Sequence, residues 1–338
     1  MEVQTVVITG ASAGLGRAIA QRFADDGARI GLIARGRERL ESARRDVESR
    51  GGRGLVLPLD VADAAAVEQA AELVETELGP IDVWINNAMT SVFAPVSETR
   101  ADEYRRVTEV NYLGFVHGTL SALRRMRPRR SGVIVQVGSA LAHRSIPLQS
   151  AYCATKHAIK GFTESLYSEL LHDQVGVRVT MVDMPAMNTP QFDWVRSRLP
   201  HRAQPVPPIF QPEVGADAVY YAAHHDCGPE LLVAWPTLKA VVGEKFIPRY
   251  LDRMLARTGY SSQQTDEPAR DRPDNLFEPV PGNWGAHGRF DDRSRSFSLE
   301  LWAREHRGWL ALGAAGALGL VLGSLRGDSV ESEKSLPT

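Results

Sequence analysis

The chain has 338 residues, with 39 Lys and Arg against 41 Asp and Glu and a formal net charge of −2. That balance excludes an electrostatic nucleic-acid binder, and the arginines at 124–130 read as solvated helix ends. Two cysteines, Cys153 and Cys227, make no disulfide framework, and the chain opens into a strand without a leader pattern, so a reducing cytoplasmic setting is expected.

Taken in chain order, Val6, Val7 and Ile8 form a β-branched run of the kind buried on both faces of a parallel sheet. Gly10, Gly14 and Gly16 follow, with Ser12 and Leu15 between them, and then apolar residues at helical spacing. Glycine permits positive φ and close approach of a ligand to the backbone. The helix start beyond it offers free N–H groups and partial positive charge to a pyrophosphate. The spacing is G-x-x-x-G-x-G, which differs from the commoner G-x-G-x-x-G fingerprint. The second strand, 30–34, runs into Arg35, Gly36 and Arg37, with no acid before Glu38. An acid there accepts hydrogen bonds from the ribose of NAD, whereas a cation accommodates the extra phosphate of NADP, so Arg35 reads as a preference for NADP(H). The other reading of Arg35 and Arg37 is a solvated helix start, and the glycine loop itself has Ala13 where a second cation would help.

Further strand-like runs at 54–59, 81–85, 132–137 and 177–182 each lead into a segment with ligand-binding character. These are Asp60 with Val61, Asn86 with Asn87 and Ala88, Ser139, and 185–189. Ser139 thus falls at the carboxyl end of a strand, where open α/β sheets place ligands. A helical region over 99–127, with one break, carries Asn111. A second helix over 150–172 has an apolar stripe through Ala151, Ala154, Ala158, Phe162, Leu166 and Leu170. Four-residue spacing projects Tyr152 and Lys156 from one face of it. A free phenol titrates near pH 10, and a neighbouring ammonium favours the phenolate and lowers that value. Another helix starts at Pro212. Strands and helices alternate to about residue 235 without an internal repeat, which implies a single Rossmann-like α/β domain over 1–258, a doubly wound parallel sheet with helices on both faces.

At 9–16, Asn111, Ser139 and 152–156 the chain resembles the short-chain dehydrogenase/reductase family, over roughly residues 1 to 250. The resemblance implies hydride transfer between NADP(H) and a carbonyl or alcohol. Ser139 would orient the substrate oxygen, Tyr152 would exchange the proton, Lys156 would also hold the nicotinamide ribose, and Asn111 would anchor a water relay to Lys156. It implies cofactor contacts at Gly10, Ser12, Gly14, Leu15, Gly16, Arg35, Asp60, Val61, Asn87, Ala88, Tyr152, Lys156, Pro185 and Thr189, and no metal. Met89 and Ala186 depart from the family's usual glycines, which affects pocket shape more than chemistry. The family's mobile substrate lid corresponds to 187–210, here stiffened by Pro190, Pro200, Pro205, Pro207 and Pro208. In that lid Phe192, Trp194, Leu199 and Ile209 either line an apolar pocket or pack the lid onto the sheet. A non-catalytic NADP-binding membrane scaffold is disfavoured by the intact proton-transfer residues. An extended-type nucleotide-sugar epimerase is disfavoured by the glycine spacing.

Beyond the domain, 259–308 is rich in Pro, Gly, Asp, Arg and Ser and reads as a linker, with Phe277, Trp284, Phe290 and Phe297 available to dock it. Residues 309–325 carry no charge. As a helix rising about 1.5 Å per residue they would span roughly 25 Å, the short limit for a bilayer, so a transmembrane helix followed by a polar tail, 326–338, is expected. Arg289, Arg293, Arg295, Arg304 and Arg307 precede it and only Arg326 and Lys334 follow, which keeps the catalytic domain on the cytoplasmic face. Ala315, Gly319 and Gly323 give a small-residue face on which two such helices could form a homodimer. A lipophilic alcohol or carbonyl substrate follows from that location.

Overall fold

The computed structural model describes residues 3–306. The apolar run 309–325 and the tail 326–338 lie outside the described residues; among those described, no helix is long and apolar enough to cross a membrane.

Strands and helices alternate as β1 (Thr5–Thr9), α1 (Gly14–Ala24), β2 (Arg29–Ala34), α2 (Arg37–Ser49), β3 (Arg53–Pro58), α3 (Ala64–Leu78) and β4 (Val83–Asn86). They continue as α4 (Ala101–Thr108), α5 (Gly114–Arg129), β5 (Gly132–Ser139), α6 (Ser150–Asp173), β6 (Val177–Met184), α7 (Pro212–His224), β7 (Glu230–Leu232), α8 (Ala234–Phe246) and α9 (Pro248–Thr258). The strands form one seven-stranded sheet in the order β7-β6-β5-β4-β1-β2-β3, every pair parallel. Parallel strands covered on both faces must be apolar throughout, and β1 is buried along its whole length. Each fully buried Val or Ile side chain there contributes about 1.5–3 kcal/mol of burial free energy. One core joins Val7, Ile33, Trp84 and Ile134 of the sheet to Val74 of α3, Met126 of α5 and Leu170 of α6. On the other side α1 meets α7, with the rings of Phe23 and Tyr220 5.2 Å apart.

From β1 the chain winds outward through β2 and β3, then returns to β4 on the opposite side of β1. The crevice at such a switch point is where open α/β sheets hold ligands. Thr9 ties its two walls together, its hydroxyl accepting the amides of Asn87 at 2.8 Å and Ala88 at 3.0 Å. The break expected within 99–127 is a π-helical turn, Glu109–Leu113, between α4 and α5. Such turns concentrate at functional sites, and this one carries Asn111.

Residues 259–297, read from composition as part of a linker, lie in the same compact unit as the sheet; a separate unit starts at Ser298. Within 259–297, Gln264–Pro268 pairs antiparallel with His201–Ala203, and Ser294–Arg295 pairs parallel with Ile209–Phe210. Leu276, Val280, Ala286 and Phe290 are buried. Of the aromatics expected to dock the segment, Phe290 does so and Trp284 sets its edge against Trp194 at 5.2 Å, while Phe277 and Phe297 stay exposed. In the second unit Ser298 caps the helix Leu299–Glu305, its hydroxyl accepting the Leu301 amide at 3.3 Å.

Candidate active site

A cavity of about 410 Å³ opens at the carboxyl ends of β1, β4, β5 and β6. Gly10, Ser12, Gly14, Leu15, Gly16, Arg35, Asp60, Val61, Asn87, Ala88, Pro185 and Thr189 all line it, together with Ser139, Tyr152 and Lys156. The residues read from separate motifs along the chain therefore share one space. Asn111 alone of that set stands behind the wall.

The glycine turn is closed to larger residues. Gly10 and Gly14 have φ of 69° and 57°, left-handed values that disfavour any side chain. A Cβ on Gly16 would lie 2.3 Å from the Gly10 carbonyl oxygen. At the start of α1, Ala13 offers no side-chain cap. Among the described residues no acceptor takes the amides of Leu15 or Gly16, while the Gly14 amide donates to Gly285 O at 2.9 Å. Free amides at a helix start, with no side chain in the way, fit a pyrophosphate.

The cations at the end of β2 are arranged differently from the sequence reading. Arg35 lines the cavity but donates to Phe277 O at 2.6 Å and Asn275 O at 2.5 Å. Arg37 is exposed and takes no part in the lining. Arg39, which the sequence did not single out, is buried, lines the cavity and sits 5.2 Å from the Trp194 ring. Among the described residues its guanidinium makes no hydrogen bond or ion pair, and burial lowers its pKa. The signal was present as a third arginine, four residues after Arg35. Asp60 accepts the Ala62 amide at 3.0 Å and pairs with Arg106.

At the other end of the cavity Ser139 closes β5. Its amide donates to Asp183 Oδ1 at 2.8 Å, its hydroxyl accepts the Leu141 amide at 3.1 Å, and it lines the cavity together with Tyr152. Lys156 is buried, donates from Nζ to Val137 O at 2.7 Å, and lies 5.5 Å from the centroid of the Tyr152 ring. The expected lowering of the Tyr152 pKa is not what this environment produces. Burial raises it above the ordinary phenol value, with the neighbouring Ser139 opposing. Burial also brings the Lys156 pKa down to about 8, Asp183 opposing. Desolvation is the largest cause for both groups, and the ammonium is directed at a backbone carbonyl. Tyr152 is thus a phenol that keeps its proton at neutral pH and lines the cleft beside Ser139, so it can serve as a proton donor to an oxygen there. Asn111 accepts the Thr90 amide at 2.8 Å and donates to Thr90 O at 3.0 Å and Thr155 Oγ1 at 3.2 Å. These bonds fix it within the π turn, one helical residue from Lys156.

Behind Ser139 lies a charged group that no motif announced. His143 Nε2 sits 3.0 Å from Asp183 Oδ2 and 3.1 Å from Glu230 Oε1, and Lys160 Nζ is 2.9 Å from Glu230. Burial alone would lower the His143 pKa, but hydrogen bonds to the two carboxylates raise it to about 9. Burial likewise opposes ionisation of Glu230, yet His143 and Lys160 bring it down to about 2. Ligand atoms of His143, Asp183 and Glu230 all fall within 4.8 Å of one another. Two cations already balance the two carboxylates, so the cluster is complete as an ion-pair network. Gly138 shows the fit: a Cβ there would lie 2.0 Å from Asp183 Oδ1.

The lid residues resolve into two roles. Leu199 and Ile209 pack in a cluster with Phe93, Leu148 and Phe290, while Phe192 joins that cluster and also lines the cavity with Trp194. Met89 and Ala186, which replace glycines, line it as well, as do Ile146, Met184, Met187 and Val206.

Residues 4–199 match the family model described as short chain dehydrogenase. The protein named uncharacterized oxidoreductase YxnA, of Bacillus subtilis, is 30% identical over 307 residues, covering 89% of this chain and 85% of its own. A fatty acyl-CoA reductase of Acinetobacter baylyi is 32% identical over 221 residues, 65% of this chain and 72% of its own. Among solved structures, a metagenomic short-chain oxidoreductase in complex with NADP aligns with a TM-score of 0.57 at 27% identity, covering 68% of this chain and 96% of that one.

Proposed function

The chain belongs to the short chain dehydrogenase family and is an oxidoreductase that uses a nicotinamide cofactor; on that premise we propose that it reduces a lipophilic carbonyl compound, or oxidises the corresponding alcohol, with NADP(H), and that Tyr152 handles the proton. The observation that carries this reading is one cavity whose lining brings Ser139, Tyr152 and Lys156 together with the glycine turn. The nicotinamide supplies or takes up the hydride. Ser139 donates a hydrogen bond to the substrate oxygen and holds it beside the phenol. Tyr152, protonated at neutral pH, passes its proton to that oxygen as negative charge develops there. Lys156, anchored on Val137 O, is positioned to hold the nicotinamide ribose and to resupply the proton to Tyr152.

Arg39 supports the choice of NADP(H): a buried, unpaired guanidinium in the cleft suits the extra phosphate. Phe192, Trp194, Met184, Met187 and Ile146 support an apolar substrate, in keeping with the fatty acyl-CoA reductase among its relatives. The uncharged run 309–325 supports a membrane location with the catalytic domain on the cytoplasmic face. A panel of long-chain aldehydes, ketones and alcohols followed by NADPH absorbance tests the activity. Strict preference for small polar sugars or hydroxy acids would reject the lipophilic substrate, and full-length protein recovered wholly in the soluble fraction would reject the membrane location.

A further inference from the structure

Residues 274–286 follow the rim of the cavity past the turns that the nucleotide half of the cofactor would occupy. The Asn275 amide donates to Trp194 O at 3.0 Å. Next to it Leu276 is fully buried against Val92, Ala94, Val107 and Ala151. Arg35, at the end of β2, donates to the carbonyls of Asn275 and Phe277. Arg106, which pairs with Asp60 after β3, donates to Leu276 O at 3.0 Å. At the far end Arg17 donates to Asn283 Oδ1 at 2.6 Å, and the Gly14 amide, at the start of α1, donates to Gly285 O at 2.9 Å. Asn275 and Pro279 themselves line the cavity.

Arg35, Arg106, Arg17 and the Gly14 amide thus tie the segment to the nucleotide turns and the start of α1, while Asp274 paired with Arg196 at 2.8 Å, Phe277 beneath Arg196 and Trp284 against Trp194 tie it to the lid. We infer that residues 274–286 are a strap forming the outer wall of the nucleotide site, and that it must lift for a dinucleotide to enter or leave. The inference rests on the proposed nicotinamide-nucleotide site. It accounts for why Arg35 and the Gly14 amide spend their donors on carbonyls: they fasten the wall, while Arg39 and the amides of Leu15 and Gly16 are left for the ligand behind it. The fastening is non-covalent throughout, a few hydrogen bonds, the Asp274–Arg196 ion pair, the Phe277 and Trp284 ring contacts and the Leu276 plug, so it can open and close reversibly. Cofactor exchange is therefore limited by strap opening, and a bound dinucleotide holds the strap shut.

Two substitutions loosen the strap at different points. Leu276→Ala removes the plug. Gly285 has φ of 67°, and a Cβ there would meet nothing within 4 Å. Gly285→Val therefore strains the turn that aims its carbonyl at Gly14 without a steric clash. With the full chain, NADPH association and its displacement by excess NADP⁺ are followed by stopped-flow fluorescence, and amide hydrogen exchange is measured with and without NADPH. Both rates should rise by about tenfold in Leu276→Ala and by a smaller factor in Gly285→Val, toward the range of unhindered sites. In the wild type NADPH should slow exchange across 274–286. Rates within twofold of wild type in a folded Gly285→Val variant, together with exchange in 274–286 that ignores NADPH, overturn the strap while leaving the cofactor site standing. If Leu276→Ala does not fold, the Gly285→Val rates and wild-type exchange decide alone. A wild type that binds neither NADPH nor NADH overturns the site reading and the strap together.

Discussion

The sheet and the segment 259–297 both shape the same cavity, but they are held in place in different ways. At the sheet, functional groups sit where regular elements end: Gly10 after β1, Asn87 after β4, Ser139 at the end of β5, Tyr152 and Lys156 one turn apart on α6. Their positions follow from strand register and helix pitch, and the core beneath them is apolar and continuous. The segment 259–297 has little regular structure and is fastened by arginines reaching backbone carbonyls, by aromatic edges and by isolated buried side chains such as Leu276 and Phe290. Chemistry is placed by periodic structure, and access to it by contacts that have no period. Substitutions in the first region should therefore change rate constants of the reaction, and those in the second should change binding and exchange.

The largest effect is expected at Tyr152. Tyr152→Phe keeps the ring and removes the exchangeable proton, so turnover should fall by about a thousandfold with NADPH affinity within about twofold of wild type. Turnover at the wild-type level would mean that another group moves the proton. Ser139→Ala should follow with a loss of about a hundredfold in kcat, because the substrate oxygen loses its donor; unchanged kinetics would remove Ser139 from the reaction.

The network behind Ser139 tests whether the first region needs more than its periodic frame. His143→Gln leaves Asp183 and Glu230 without their shared cation and should cost about 3 kcal/mol of stability. The folded pKa of His143, about 9, lies above its ordinary value of 6.5. The stability it contributes is thus fully present below pH 6.5 and lost as pH rises through 9. Denaturant melts of wild type and variant should converge over that window. A difference that widens toward pH 9 would show that His143 is not held charged by the carboxylates.

The smallest effect belongs to the cleft edge where the two regions meet. Arg39→Ala should weaken NADPH by about tenfold, the scale of a charge-assisted contact, and leave NADH nearly unchanged in a titration. Equal losses for both cofactors would assign Arg39 to packing against Trp194.

Much of the fold and the reacting end of the site was legible in the residues themselves. β-branched runs at 6–8 and 133–137 can hardly be anything but buried parallel strands, and glycines at fixed spacing mark a turn that no side chain can enter. The order of motifs then puts Ser139 and Tyr152 near the glycine turn. Only the tertiary structure decided the rest. Desolvation depends on everything packed around a group, so neighbouring positions on a helix could not tell that burial, rather than Lys156, governs the Tyr152 phenol. Which arginine stays free in the cleft depends on the carbonyls of Asn275 and Phe277, some 240 residues away from Arg35. Composition alone could not distinguish a solvated linker from a wall of the cavity, because polar, proline-rich chain has no periodicity to reveal the few arginine–carbonyl bonds and buried side chains that pin it.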